Sequence, residues 1–328
     1  IAYEFPPLSA GGTARAFRFA NFLPNYDIKP VVFTLHPASY LEVFENPKTD
    51  AAKLNQLDPR VELIQVKSEN IISKKVNKIR NFLQTYFNFH KGVEAKYWKK
   101  NLNIEINKYL VNNSVDCIYV TAPPFSVLTL AKRIANKHKL PLVVDFRDPM
   151  TLWTINPYGN YLTYLLTKLT ERNILKSASA IIATSEVTIE DMQTLHPKIS
   201  KNKFHYIPNS FEGTIQYKTI TTKVNNKITI GYVGSFYYSP ESRRLIFTPW
   251  YKKRGHRILQ YIPRKEDWLY RSPFFVFKAI SELIKNKPEY KDKIILKFAG
   301  KKEYWFDEMV KDEKLEDIVE HIGWLSHS

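Results

Sequence analysis

Short apolar runs, each ending in a polar or glycine-rich turn and most followed by an amphipathic stretch, recur along this chain. Buried runs of this length that alternate with helix-length amphipathic segments are typical of parallel strands with helices on both faces. The sequence therefore predicts an α/β fold with open, mostly parallel, doubly wound sheets. The strand-like runs lie at 30–34, 61–64, 116–121, 142–145, 180–184, 204–207, 227–233, 293–298 and 318–322, and the helix-like segments at 13–23, 125–137, 161–176, 187–195, 273–285 and 302–311.

The length of 328 residues suits two α/β domains better than one. A polar, turn-rich segment at 210–226 is predicted to link a first domain at 1–209 to a second at 227–328. The second domain has three strand-like runs, whereas a doubly wound domain usually has about five or six, so we expect it to be incomplete. The run at 1–3 resembles the end of a strand, and both chain ends are expected to be cuts in a longer protein.

The chain is basic, with 49 Lys and Arg against 32 Asp and Glu and a formal net charge of +17. Such a surface favours anionic partners. The charge is prominent in an amphipathic segment at 69–112 and in a segment at 236–271 that is dense in Arg, Lys, Trp and Tyr and too long for an ordinary connection. Neither zinc-ligand spacing nor an RNA-binding signature accompanies it, so nucleic acid is not expected as a partner. The charge fits either a solvated face or contact with an anionic membrane surface.

The single cysteine, Cys117, cannot form an intrachain disulfide, and no apolar run in the sequence is long enough to span a bilayer. These features predict a cytoplasmic protein that can also lie peripherally on the inner membrane face. The segment at 69–112 is the expected site of that attachment.

A glycine-rich turn precedes the first helix-like segment. Gly11 and Gly12 would let the backbone approach a ligand closely, and the following helix N-terminus attracts anions. Arg15, in the first helical turn, could add a bidentate contact to phosphate. The turn matches neither a Walker loop nor a dinucleotide fingerprint, so a simple tight turn is the alternative interpretation.

Polar residues follow several strands of the first domain, at the sheet edge where open α/β sheets bind ligands. Simpler structural explanations exist for some of them: a local Arg–Asp pair, a proline that starts a helix, and a glutamate that complements a helix dipole. We predict Asp145, Arg147 and Asp148 as catalytic residues, and Thr121, Pro123, Glu186 and Asn209 as acceptor-binding or cleft residues.

The second domain opens with a strand that ends in Gly234-Ser235, a turn that would leave room for a diphosphate against backbone N–H groups. Arg271 directly precedes a helix that Ser272 can cap and Pro273 can open. We therefore predict that Gly234, Ser235 and Arg271 form a phosphate clamp.

Together these motifs resemble the family 4 glycosyltransferases with the GT-B fold, of the bacterial surface-polysaccharide type, over nearly the whole chain. The resemblance rests on the Pro-Pro…Gly-Gly…Arg loop, the Ile207-Pro208-Asn209 junction and the Gly234-Ser235 turn. It implies two Rossmann-like domains, an acceptor-side first and a donor-binding second. The implied reaction is retaining transfer from a nucleotide-sugar donor to a glycan or lipid-linked acceptor, with no metal and no cofactor.

Two departures from the family pattern bear on chemistry. Many members carry a histidine after the strand that here ends in Asp145, and this chain has none there. Arg271 stands where the family often has a lysine, so it takes the diphosphate role by position. The family's glutamate pair is expected beyond Ser328, so the chain as given is expected to lack glycosyl transfer.

Two other functions fit the sequence. One is a sugar-nucleotide epimerase of the same fold. The other is a non-catalytic basic protein that binds membranes or nucleic acid, for which the net charge and the segment at 69–112 are the support.

Overall fold

A computed structural model describes residues 1–44, 46–68, 95, 97–152, 157–210 and 227–323. Residues 211–226 of the predicted linker and residues 69–94 and 96 of the predicted amphipathic segment lie outside the described residues. The chain divides into two compact units, the first comprising Ile1–Glu212 with Gly255–Pro263 and the second comprising Gly213–Arg254 with Arg264–Ser328.

The described residues of the first unit form six strands, and every pair is parallel, as the apolar runs predicted. Two strands pair as β1–β2 and four pair in the order β3–β4–β5–β6. The strands are β1 (Val31–Leu35), β2 (Glu62–Val66), β3 (Ile118–Ala122), β4 (Leu142–Phe146), β5 (Ala180–Ala183) and β6 (Phe204–Tyr206).

The first two residues run between these two groups of strands. The backbone nitrogen of Ile1 donates to the Tyr119 carbonyl at 2.7 Å, and the Thr121 amide donates back to the Ile1 carbonyl at 3.2 Å. On the other side, the Ala2 amide donates to the Phe33 carbonyl at 3.0 Å. Residues 1 and 2 therefore join β1 to β3, and the six strands form one continuous hydrogen-bonded surface.

Helices cover this sheet and bury its apolar side chains. The described α-helices of the first unit are α1 (Thr13–Phe22), α2 (Tyr40–Val43), α3 (Ala51–Leu54), α4 (Trp98–Asn112), α5 (Ser126–His138), α6 (Tyr161–Ser177) and α7 (Glu186–Leu195). Helix α5 is amphipathic, with Val127, Leu128 and Ile134 buried against β3 and β4, and Trp98 at the start of α4 is fully buried. Asn160 caps α6 by accepting from the Thr163 amide at 2.8 Å.

The second unit has its own parallel sheet and its own core. Its described residues form three strands in the order β7–β8–β9, with Phe277, Leu296 and Phe306 at the centre of the core. Strand β7 is exposed along its length. The elements are β7 (Ile228–Val233), α8 (Pro240–Phe247), α9 (Phe274–Asn286), β8 (Ile294–Ala299), α10 (Phe306–Asp312) and β9 (Val319–Gly323).

The segment at 236–271, predicted as one insertion in the second domain, is divided between the units. Residues Gly255–Pro263 belong to the first unit, where the Tyr158 amide donates to the Tyr261 carbonyl at 2.9 Å and the Tyr261 amide donates back at 3.0 Å. The remainder, including α8, belongs to the second unit. Across the described part of the chain, no helix combines the length and the apolar character needed to span a membrane.

Candidate functional site

The first group of predicted residues meets at a buried ion pair between α1 and β4. The Nε of Arg15 donates to Asp145 Oδ2 at 2.9 Å, and its Nη2 donates to Oδ1 at 2.8 Å. The Asp145 side chain is 0% exposed and that of Arg15 is 6% exposed. This bidentate geometry is the strongest pairing available to a guanidinium and a carboxylate.

Two residues of β3 also donate to Asp145. The hydroxyls of Tyr119 and Thr121 both donate to Oδ2, at 2.7 and 2.9 Å. They are two positions apart on one strand and therefore point to the same face. Burial, and then the charge of Asp145, raise the pKa of Tyr119 well above its ordinary value. Asp145 is thus enclosed by side chains that donate to it, and its predicted catalytic role stays a prediction.

Arg15 also reaches the segment after β6. Its Nη1 donates to the Pro208 carbonyl at 3.1 Å and to Asn209 Oδ1 at 3.3 Å. The structure therefore brings together four predicted residues: Arg15, Asp145, Thr121 and Asn209. Arg15 was predicted to bind phosphate, and here most of its donors are used within the protein.

Arg15 and Asn209 border an open cavity of about 290 Å³. One face of α1 and the residues that follow it supply most of the wall, which is apolar and aromatic except for two arginines. The lining residues are Arg15, Arg18, Phe19, Phe22, Leu23, Tyr26, Ile207, Pro208, Asn209 and Ser210.

A second ion pair lies against the glycine-rich turn. Arg147 Nη1 donates to Glu4 Oε2 at 3.0 Å, and Nη2 donates to the Pro123 carbonyl. A Cβ added to Gly12 would lie 1.2 Å from Arg147 Nη1 and 2.0 Å from Glu4 Oε2. A Cβ added to Gly11 would meet no described atom within 4 Å. Gly12 is therefore required for packing against the ion pair, and Gly11 is exposed.

The other two predicted residues of this edge are more open. Asp148 is half-buried, and Glu186 is exposed in the first turn of α7. Ser185 caps that helix by accepting from the Thr188 amide at 3.3 Å. Glu186 lies where its negative charge complements the helix dipole, which was the alternative to a role in ligand binding.

In the second unit, glycines with positive φ lie at the ends of all three described strands: Gly234 at 152°, Gly300 at 133° and Gly323 at 74°. The Gly234 amide donates to the Ala299 carbonyl at 2.9 Å, and the Gly300 amide donates to the Gly323 carbonyl at 2.8 Å. A Cβ added to Gly300 would lie 2.0 Å from the Gly234 carbonyl oxygen. Gly234 was among the predicted residues and Gly300 was not, although Gly300 also follows an apolar run directly.

Beside this turn is an open cavity of about 540 Å³ at the carboxyl edge of β7 and β8. Ser235 and Arg271, predicted to form one phosphate clamp, both line it, and so do Ser272 and Pro273 at the start of α9. The Phe274 amide donates to Ser272 Oγ at 3.2 Å. Most of the remaining wall is aromatic or aliphatic, from Ile230, Tyr232, Phe236, Tyr237, Tyr270, Val276, Leu296 and Phe298.

Arg271 differs from Arg15 in its surroundings. Its side chain is 46% exposed, it pairs with the half-exposed Glu266 at 3.1 Å, and its guanidinium lies 5.8 Å from the centroid of the Trp268 ring. An exposed pair of this kind contributes little stability and is easily exchanged for another anion.

A second ion pair holds the turn that carries Arg271. Asp267 accepts from Arg243 Nε and Nη2, both at 2.8 Å, and also from the Leu269 amide at 3.0 Å at the start of the turn Trp268–Arg271. The hydrogen bonds from Arg243 lower the pKa of Asp267. The backbone of the turn is therefore fixed to α8, and the end of the Arg271 side chain remains accessible.

Within the described ranges, His, Cys, Asp and Glu side chains do not form groups of three or more that could hold a metal ion. The prediction that the protein uses neither a metal nor a cofactor stays a prediction.

No protein family matches the chain in a family-level comparison, and no curated protein matches its sequence. Solved structures do match its fold. A sucrose-phosphate synthase from Thermosynechococcus elongatus matches with a TM-score of 0.51 at 11% identity, over 100% of this chain and 68% of that one. This likeness concerns the fold alone and, with the parallel sheets of both units, confirms the predicted α/β, GT-B class.

Two further structures match with lower scores. Anabaena Alr3699/HepE, solved in complex with UDP and glucose, has a TM-score of 0.48 at 12% identity, over 99% of this chain and 68% of that one. The lipopolysaccharide outer core galactosyltransferase WaaB, in its apo form, has a TM-score of 0.49 at 13% identity, over 98% of this chain and 67% of that one.

Proposed function

We propose that this chain belongs to a glycosyltransferase that moves a sugar from a nucleotide-sugar donor to a glycan or lipid-linked acceptor, with retention at the anomeric carbon, in surface-polysaccharide synthesis. The observation that carries the proposal is the cavity in the second unit. There Ser235 and the accessible Arg271 lie together at the carboxyl edge of a parallel sheet, beside the start of the 13-residue helix α9. The name of the matched synthase, sucrose-phosphate, also supports sugar chemistry.

The cavity suits a diphosphate leaving group. The half-exposed guanidinium of Arg271 can exchange Glu266 for phosphate oxygens, and the positive end of the α9 dipole favours the same charge. Negative charge grows on the diphosphate as the glycosidic bond of the donor breaks. A fixed cation therefore stabilises the transition state more than the ground state, without requiring a metal ion.

The first unit would supply the acceptor side. In this proposal Arg147 and Asp148 remain the candidates for contacts with the reacting sugar, and Asp145 acts through Arg15. The cavity beside Arg15 and Asn209 combines arginines with an apolar wall, which suits an acceptor that has both anionic and apolar parts. A place on the inner membrane face would bring the enzyme to a lipid-linked acceptor.

Binding of the donor can be tested in this chain by calorimetric titration with UDP, GDP and ADP and their glucose esters. We expect at least one nucleotide diphosphate to bind, and Arg271→Ala to weaken that binding at least about tenfold, because a charge-assisted contact is lost. The matched control is Lys278→Ala, which removes an exposed cation from α9 outside the cavity lining. Unchanged affinity in Arg271→Ala would remove the diphosphate role.

Transfer is tested with the full-length protein, by screening nucleotide sugars and acceptors and identifying products by mass spectrometry. We expect a glycosylated acceptor, with turnover strongly reduced by Arg271→Ala. A labelled nucleotide sugar distinguishes the epimerase alternative, because an epimerase returns the label in an isomeric nucleotide sugar with no acceptor present.

A further inference from the structure

One stretch of the chain has a uniform charge. Residues 242–265 contain eight Lys and Arg residues and neither Asp nor Glu. The same stretch includes Phe247, Trp250 and Tyr251. Cations interleaved with aromatic residues in an acid-free run favour an anionic partner that also accepts apolar side chains.

The part of this stretch in the second unit displays these side chains on its surface. Phe247 is 46% exposed at the end of α8, and Trp250 and Tyr251 are 70% and 66% exposed in the short 3-10 turn that follows. Exposed cations precede and follow the rings in the sequence. We call this set the aromatic–basic face, and its residues are Arg244, Phe247, Trp250, Tyr251, Lys252 and Arg254.

The face belongs to an anchored element. Ser239 caps α8 by accepting from the Ser242 amide at 3.3 Å, and Ile246 is buried. The bidentate pair between Arg243 and Asp267 fixes α8 to the turn that carries Arg271. One large ring at the end of this helix and two in the turn that follows it are thus exposed on an anchored element, although exposing apolar surface in water is unfavourable.

We propose that the aromatic–basic face binds the surface of an anionic lipid bilayer. Tryptophan and tyrosine rings are favoured at the depth of lipid headgroups, where their apolar bodies leave water and their polar edges stay hydrated. Lysines and arginines around such rings attract anionic lipids. Burial, and then the charge of Lys265, lower the pKa of the neighbouring Lys253, and an anionic headgroup close by would offset that effect.

The geometry of the rings favours a bilayer over single-stranded nucleic acid. Proteins that bind single strands stack successive bases on aromatic platforms. The rings of Trp250 and Tyr251 are 6.1 Å apart and inclined at 87° to each other, so they do not form a parallel pair of platforms. A bilayer accepts rings in either orientation.

This inference does not depend on sugar transfer, and it concerns a surface distinct from residues 69–94. A protein that binds nucleotide sugars and ignores vesicles would refute the inference and leave the proposed function intact. A protein that binds vesicles and no nucleotide sugar would support the inference and refute the proposed function.

Vesicle flotation with the intact chain tests the proposal. We expect binding to vesicles of phosphatidylcholine with phosphatidylglycerol, and at least about tenfold weaker binding to phosphatidylcholine alone. Lys252→Glu/Arg254→Glu should weaken binding to the anionic vesicles at least about tenfold. The control Lys198→Glu/Lys201→Glu makes the same change in net charge at exposed positions of the first unit and should leave most of the binding intact.

A second variant, Trp250→Ser/Tyr251→Ser, keeps the charge and removes the rings. It should also weaken binding several-fold, and thermal unfolding of each variant checks that the fold is kept. Should one of these two variants unfold, the other gives the decision. Equal loss in the control, binding that is indifferent to lipid charge, or binding to single-stranded RNA without binding to vesicles would overturn the proposal.

Discussion

Each unit has an arginine at the carboxyl edge of its parallel sheet, and the two arginines differ in burial and in pairing. In the first unit, Arg15 is buried and its charge is neutralised by Asp145. In the second unit, Arg271 is half-exposed, and its partner Glu266 is also exposed. An arginine near a helix start is thus paired inside the protein in one unit and remains accessible in the other.

Position and availability of a charged side chain are separate properties. The carboxyl edge of a parallel sheet identifies where a ligand could bind. Whether a charged side chain there can contact the ligand depends on how many of its hydrogen bonds are already made inside the protein. Asp145 has its hydrogen bonds made inside the protein, whereas the Arg271 side chain is 46% exposed.

The largest effect is expected when the buried pair is broken. Asp145→Ala would leave the guanidinium of Arg15 buried without its counter-charge, and we expect a loss of about 3–5 kcal/mol in the free energy of unfolding. Urea unfolding measures it. Glu266→Ala, which removes the exposed partner of Arg271, should cost less than about 1 kcal/mol. Similar costs for the two variants would remove the contrast between the units.

A smaller loss of stability is expected at the close backbone contact between Gly234 and Gly300 in the second unit. Gly300→Ala places a Cβ against the Gly234 carbonyl at a φ that alanine disfavours, and we expect a cost of about 2–4 kcal/mol. Gly231→Ala is the control, because a Cβ there would meet no described atom within 4 Å. Thermal unfolding of the two variants measures the difference in their stability. Equal stabilities would show that Gly300 does not lie against the Gly234 carbonyl.

The corresponding test in the first unit uses adjacent glycines. Gly12→Ala should cost about 1–3 kcal/mol, because the new Cβ displaces the Arg147 and Glu4 side chains, which can move more easily than backbone. Gly11→Ala should change the free energy of unfolding by less than about 0.5 kcal/mol. A stable Gly12→Ala variant would mean that the ion pair rearranges freely.

The smallest effect concerns pH. Since Arg243 lowers the pKa of Asp267 in the folded state, this pair stabilises the protein above the ordinary aspartate pKa of about 4, and the contribution is lost as the pH falls through the lowered value. The pair is partly exposed, so we expect at most about 1 kcal/mol. The measurement is the stability difference between wild type and Asp267→Asn at neutral and acid pH, which should shrink on acidification.

Much of the fold could be predicted, because buried parallel strands require apolar runs and each run was visible. The runs at 142–145 and 293–298, for example, became β4 and β8 with ends shifted by one residue. The shared cavity of Ser235 and Arg271 was also predictable, since a turn after a strand and the start of a helix both belong to the carboxyl edge of the sheet.

The internal pairing of the first site was not predictable. Arg15 and Asp145 are 130 residues apart, and their contact depends on how α1 packs across the sheet. Tyr119 was hidden within an apolar run, and only its place on the same face as Thr121 reveals that it contributes a hydroxyl. Sequence patterns show that an arginine and an aspartate are present, whereas their pairing depends on the distance between them in the fold.

The contact between Gly234 and Gly300 limits where the border of the neighbouring cavity could change by mutation. Where one backbone lies against another, a side chain of any size is excluded, so mutation cannot install a new recognition group at that point of the rim. Variation in what this cavity recognises would have to arise at bordering positions that do carry side chains, such as Tyr232 and Tyr270.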